Sequence, residues 1–395
     1  ELGLFEDGRP ICRVLRPRVV TNERFAIEQR VAADVVRALT RALAAVRAGV
    51  VPEEVTGGLG EWSRRVHELD PRPEATVPAF LRLDASLART QLHVMELNSD
   101  MPAGEAHNDS VADLLAGLPT AKVMLAESRG RLVRLLPDFH RIVERVAAPA
   151  GPDAVVAWVI WSDMPERREI VATMAAHLER RGRRVVFADP RELDVGTERT
   201  ELAGRHVGVI LRTCSTPEIL SRPDDAAALI AAARSGHTPV LNPLGVEPIA
   251  YKTLFAAITD PTVEAGLSPA ERRTIAQHVP WTRVLRDTTT PDPGGASVDL
   301  LGWVRSHRAR LVIKPAHGLA GTGVVLGWRA SEGEWDDAIE AGLGRDIVQR
   351  RVHLQQERYP LFDRGLEEEA FYEDTDPFLF DASPGGTLTR LSSTA

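Results

Sequence analysis

The sequence predicts a mixed α/β (α+β) protein with more than one sheet, and three observations carry that reading. Between about residues 152 and 245, short apolar runs alternate with helical segments, the pattern of a small, doubly wound parallel sheet covered on both faces. Near residues 79–97 two apolar runs flank a turn and predict a hairpin. After residue 310, "ARLVIKP", "TGVVLG" and "DIVQRRV" supply strands of a second, largely antiparallel sheet. A chain of 395 residues is too long for one simple core and asks for two or three packed domains. The boundaries are placed at 1–150, 151–245 and 246–395.

In chain order, residues 23–49 carry apolar residues at helical spacing and end in a glycine, which predicts one long amphipathic helix. The hairpin strands follow at 79–83 and 92–97, then helices at 107–118 and 121–147. The stretch "AAPAGPDA" marks a boundary, after which "AVVAWVIW", "RRVVFADP", "RHVGVILR" and "TPVLNP" read as strands, with helices in "PERREIVATMAAHLERRG" and "PDDAAALIAAARSG". No GxGxxG turn follows the first of these strands, so no dinucleotide is assigned to them. Helices are expected near 250–259 and 268–277. The patch "RDTTTPDPGGAS" reads as a mobile surface loop.

Composition excludes several classes. No run of 18 apolar residues is present to span a membrane. The N-terminal stretch has acids where a signal peptide would have bases, so a cytoplasmic protein is expected; the chain opens on Glu, so residues are expected to precede it. Two cysteines, Cys12 and Cys214, cannot build a disulfide framework, and no CxxC motif is present. A net charge of −8 argues against a protein built mainly to bind nucleic acid.

The chemistry starts from a scarcity. The chain has 45 arginines and three lysines, so a lysine that is kept suggests a task arginine does not perform. Lys314 ends a strand in "LVIKPAHGLAGTGVVLG", and Gly318, Gly321 and Gly323 follow within ten residues. Glycines let successive backbone N–H groups turn into one concavity suited to phosphate oxygens. A lysine beside it is a compact charge with rotating donors; a glycine-rich hairpin with a snorkelling lysine is the plainer alternative. Lys252, on the first turn of a predicted helix, reads by itself as a surface lysine, and Lys122 as structural. The P-loop pattern is absent.

The acids come earlier. "FLRLDA" puts Arg82 and Asp84 on one strand, and "HVMELNSD" puts Glu96 and Asn98 on the next. Residues two apart share a strand face, so these can converge as hard oxygen ligands for Mg²⁺; a solvated polar face is the plainer alternative. Arg390 follows a Gly-Gly turn on a late strand, where its planar fork could bridge phosphate and carboxylate oxygens; among 45 arginines, chance placement is the stronger reading for this residue alone.

Taken in order, "LRLDA", "MELNSDMPAG", "YKTLFAAI", "VIKPAHGLAGTGVVLG", "IVQRRV" and "TLTRLS" resemble the circularly permuted ATP-grasp ligases, of which the glutathionylspermidine synthases (synthetase domain) are relatives. The resemblance spans most of the chain. It implies a permuted ATP-grasp fold, with the metal acids ahead of the lysines and a pre-ATP-grasp parallel-sheet domain inserted. It implies ATP phosphates held by Lys252, Lys314 and the backbone around Gly318, Gly321 and Gly323, with Gln349 in the hinge that reads adenine. Two Mg²⁺ ions would sit on Asp84, Glu96 and Asn98, and Arg82 and Arg390 would attend the transferring phosphoryl group and the acyl oxygens. The implied reaction joins a small-molecule or peptide carboxylate to an amine through an acyl phosphate, with the glycine loop and residues 286–298 as lids. No amidase domain precedes the motifs, so hydrolysis is not implied, and whether residues beyond Ala395 complete the acceptor site stays open. A small-molecule kinase could use the same clamp on a hydroxyl acceptor, and a non-catalytic nucleotide-binding or scaffold protein would keep the fold only. The identities of acid and amine, and the oligomeric state, stay open.

Overall fold

A computed structural model describes residues 5–6, 9–72, 78–88, 91–318, 321–362 and 365–393. It contains three principal sheets. The long helix Asn22–Arg47 begins at Thr21, whose hydroxyl accepts the Arg24 N–H at 3.2 Å, satisfying one of the free donors of a first helical turn. Its apolar stripe, including Val35, Leu39 and Leu43, packs on Leu81, Leu83 and Leu97 of the hairpin. Each of those leucines is almost wholly removed from water, worth about 1.5–3 kcal/mol apiece. This burial fixes which hairpin face points inward.

The hairpin strands are Phe80–Ala88 and Gln91–Asn98, paired antiparallel; the turn residues 89–90 lie outside the described residues. Phe80–Ala88 is also paired with Leu366–Phe380, which pairs in turn with Ser383–Ser392 and Gln356–Phe362. One sheet is thus woven from residues 80–98 and 356–392.

The parallel sheet runs Val185–Ala188, Val155–Val159, Arg205–Arg212, Val240–Leu241. Val156, Trp158 and Val209 face helices Leu136–Ala147 and Glu166–Glu179. Val155, Ala157 and Val207 face helix Ala227–Ser235. Covering both faces explains the unbroken apolar runs. The third sheet orders Thr282–Val284, Ile347–Arg350, Leu311–Lys314 and Val325–Leu326, with antiparallel pairings throughout. Its outer face packs under helices Leu300–Ser306 and Glu332–Gly342. Among the described residues no helix is long and apolar enough to cross a membrane.

Three expectations need correction. The helix expected at 121–147 is two, Pro119–Ser128 and Leu136–Ala147. Arg129 takes a left-handed conformation (φ 51°) and ends the first, and Pro137 starts the second. The patch at 286–298 contains an ordered hairpin, Thr289–Pro291 with Ser297–Asp299. There Asp292 Oδ1 accepts the N–H groups of Gly294 and Ala296 at 2.8 and 2.9 Å, an aspartate turn that composition alone reads as loop. The parallel sheet also carries an antiparallel flap, Leu193–Val195 with Thr200–Leu202.

Candidate functional site

The hairpin register pairs Arg82 with Asn98 and Asp84 with Glu96. All four therefore stand on the face opposite the leucines. Asp84 Oδ1 accepts from Asn98 Nδ2 at 2.8 Å and from Arg82 Nε at 3.0 Å. Arg82 also donates to the carbonyl of Ala103 at 2.6 Å.

The neighbouring strand adds two acids that sequence reasoning missed, Asp374 and Asp376. Arg390 stands opposite Asp374 in the register and gathers the group. Its Nε donates to Asp376 Oδ2 at 2.6 Å, and its Nη2 lies 3.0 Å from Asp84 Oδ2 and 3.6 Å from Asp374 Oδ2. Asp376 is fully buried and also accepts the N–H of Ala85 at 3.1 Å. Burial, reinforced by the charges of Asp84 and Asp374, pushes its pKa up to about 8. Burial works against the Arg390 charge, but the carboxylates of Asp376, Asp84 and Asp374 outweigh it and hold its pKa above the ordinary arginine value. The signal for these acids was the i, i+2 spacing in "EDTDP", the same spacing that picked out Arg82/Asp84 and Glu96/Asn98.

Lys252 is not a surface residue; only 5% of it is exposed. It is the residue before helix Thr253–Thr259. Its Nζ lies 3.0 Å from Glu96 Oε1 and donates to the carbonyl of Gly318 at 3.1 Å. Its backbone N–H donates to Ala316 O at 3.0 Å. One lysine thus ties the acidic hairpin to the glycine-rich turn. Lys314 projects from the third sheet on the face shared with Gln349, whose Oε1 accepts its Nζ at 2.8 Å. The amide of Gln349 is engaged at both ends, since its Nε2 donates to Thr282 Oγ1 at 3.1 Å; in this structure the side chain orients Lys314. Burial, aided by the neighbouring charge of Lys252 and opposed by Glu96 and Asp84, lowers the Lys314 pKa to about 8. Lys122 is exposed.

Gly321 and Gly323 hold φ of 71° and 75°, a region that favours glycine; a Cβ on Gly323 would lie 2.8 Å from Pro315 Cγ. Leu319 and Ala320 of this turn lie outside the described residues. Beside it, His317 Nε2 sits 2.7 Å from Glu247 Oε1. Glu247 is almost wholly buried, accepts the Trp62 indole N–H, and has its pKa raised by burial against the pull of His317. Sequence reasoning missed this anchor because its members come from three distant segments.

The donor set also bears on metal binding. Asp84, Glu96, Asp374 and the Asn98 amide are hard oxygen donors. Among the described residues, no three His, Cys, Asp or Glu side chains enclose a metal position. Oxygen donors of this kind fit Mg²⁺, which takes one or two carboxylates and completes its shell with water and phosphate.

No protein-family model and no curated protein matches this chain. Among solved structures, a glutathione synthetase-like effector from Globodera pallida, in its apo form, is similar over 99% of this chain and 89% of its own. Its TM-score is 0.58 at 10% identity, so the two share a fold. A putative gamma-glutamylcysteine synthetase from Methylobacillus flagellatus aligns over 96% of this chain and 85% of its own, with 14% identity and a TM-score of 0.45. The mixed α/β architecture with several sheets is therefore one that a glutathione synthetase-like protein also adopts.

Proposed function

We propose that the chain is an ATP-dependent carboxylate–amine ligase with a circularly permuted ATP-grasp arrangement, residues 151–245 forming the inserted pre-ATP-grasp unit. The observation that carries the reading is the contact of Lys252 Nζ with Glu96 Oε1 at 3.0 Å. Acids from the early hairpin and lysines from the late segments thereby share one site. The fold held in common with a glutathione synthetase-like effector supports it.

In this reading Lys252 and Lys314 neutralise the polyphosphate, and the N–H groups around Gly318, Gly321 and Gly323 cradle it. A carboxylate oxygen of the acid substrate attacks the γ-phosphorus, and the bond to the β–γ bridging oxygen breaks, releasing ADP. The amine nitrogen then attacks the acyl carbon and gives up a proton as phosphate departs. Arg82 and Arg390 would fork onto the acyl and phosphoryl oxygens. Mg²⁺, held through Asp84, Glu96 and Asn98, with Asp374 beside them, would supply charge neutralisation of the phosphates. Gln349 fixes the Lys314 ammonium, and the glycine turn with the 286–298 hairpin excludes water from the reactive acyl group.

The test is ADP release from ATP with a panel of small carboxylates, each with and without an amine pool, read by mass spectrometry. The expected product has the mass of acid plus amine less one water, together with free phosphate. Asp84→Asn should lower turnover by at least about 100-fold, in the range of removing one electrostatic transition-state group, with the melting temperature little changed. A stable phosphoester product would instead identify a kinase. Full turnover in Asp84→Asn would remove the assigned site.

A further inference from the structure

Beyond the acid cluster, a cavity of about 80 Å³ opens off the carboxyl ends of the parallel strands, lined in part by Phe139, Trp158, Met174 and Leu211. Open parallel sheets commonly bind ligands in that position. One water needs about 10–15 Å³ by such a measure, so there is room for a small organic body. Ala103 also lines the cavity, and its carbonyl accepts from Arg82, so the cavity adjoins the Arg82–Asp84 corner.

Its walls are largely apolar, and one acid among the polar groups that line it stands out. Glu105, first residue of helix Glu105–Gly117, lines the cavity with 1% of its surface exposed. Its carboxylate takes its own backbone N–H, yet Oε2 is buried with no partner among the described residues. A buried carboxylate oxygen without a donor is costly. The indole Nε1 of Trp158 is likewise buried with no partner among the described residues. The other charged groups lining the cavity, Asp100 and Arg212, are already paired with each other.

We propose that this cavity binds the amine substrate as a small primary ammonium with an apolar body, its N–H groups donating to Glu105 Oε2. An acceptor atom on the same molecule, such as a hydroxyl, would take the Trp158 indole N–H. The chemistry selects this class because the unmet groups are one anionic acceptor and one neutral donor in an apolar wall. A substrate carboxylate would meet Glu105 as a like charge. The inference rests on the ligase reading for the role of the bound amine, but binding itself does not require turnover.

The experiment is titration of the nucleotide-free protein at pH 8 with 3-aminopropan-1-ol and, separately, with propionate. The Trp158 indole N–H resonance reports binding, assigned by its loss in Trp158→Phe. The aminoalcohol should shift that resonance saturably in the millimolar range, and Glu105→Gln, close to isosteric, should weaken binding at least about tenfold. Propionate should leave the resonance in place. Should Glu105→Gln fail to fold, Met174→Trp, which fills the cavity from the opposite helix, should abolish the shift. Equal binding in wild type and Glu105→Gln, saturable binding of propionate, or an undiminished shift in Met174→Trp would overturn the proposal. An ADP-release assay run beside the titration on the wild-type protein separates the two readings. Amine binding in wild type with no ADP release from any acid leaves the cavity assigned and the ligase reading refuted. Amine-dependent ADP release in wild type without any Trp158 shift does the reverse.

Discussion

If the nucleotide binds against Lys314 as proposed, the lowered pKa of that lysine couples binding to proton uptake, and the size of the coupling follows from the structure. Burial holds the ammonium at about 8, with Lys252 adding to the effect. A polyphosphate laid against it would favour the charged form and return it toward the ordinary lysine value of about 10.5. At pH 8 the empty protein then carries about half a proton on this group and the complex nearly a whole one. Binding should therefore take up about 0.5 proton at pH 8, about 0.9 at pH 9 and about 0.1 at pH 7. The same linkage weakens apparent affinity about tenfold between pH 7 and 9, or about 1.4 kcal/mol. Calorimetry with Mg²⁺ and a non-hydrolysable ATP analogue, in two buffers of different ionisation enthalpy, measures the uptake directly. Lys314→Arg supplies the control, since a guanidinium stays charged throughout this range and should bind without uptake. Uptake below about 0.1 proton at pH 8, or uptake unchanged in Lys314→Arg, would refute the reasoning.

Two further outcomes concern stability. Lys252 is buried against Glu96 at 3.0 Å, and breaking a fully buried pair costs about 3–5 kcal/mol. Glu96 keeps 24% of its side chain exposed, so Lys252→Met should cost less, about 1–3 kcal/mol in urea unfolding; the exposed Lys122→Met should change stability by less than about 0.5 kcal/mol. Asp376, with its pKa raised to about 8, contributes stability that is full below its unfolded value near 4. That contribution is lost as pH rises toward 8. Unfolding free energies measured at pH 5 and 8.5 should fall less steeply in Asp376→Asn than in wild type; parallel slopes would show that this carboxyl does not titrate as its surroundings imply.

The hairpin and its polar face were legible because one periodicity wrote both. Leu81, Leu83 and Leu97 alternate with Arg82, Asp84, Glu96 and Asn98, so knowing the buried face names the polar one. The parallel sheet was legible for a related reason, its apolar runs being covered on both sides. Asp374 and Asp376 escaped notice because their significance lies in Asp84 and Arg390. The pairing that brings Asp374 beside Ser86 joins segments nearly 300 residues apart, and local spacing carries no trace of it. Lys252 misled for the same reason, since its burial depends on Glu96 and Gly318, each far along the chain. Glu105 gave no local sign at all, because a glutamate opening a helix is ordinary, and only the shape of the cavity makes it unusual.

Weaving residues 80–98 and 356–392 into one sheet also imposes an order on biogenesis. During synthesis the strand Phe80–Ala88 emerges early but waits for Leu366–Phe380 to leave the ribosome before its open backbone edge is covered. Until then that edge is a template for mispairing, and closing so long a loop is slow. The acidic cluster would be among the last features to take shape, so a nascent or truncated chain holds the hairpin acids without Asp374, Asp376 and the arginine that balances them.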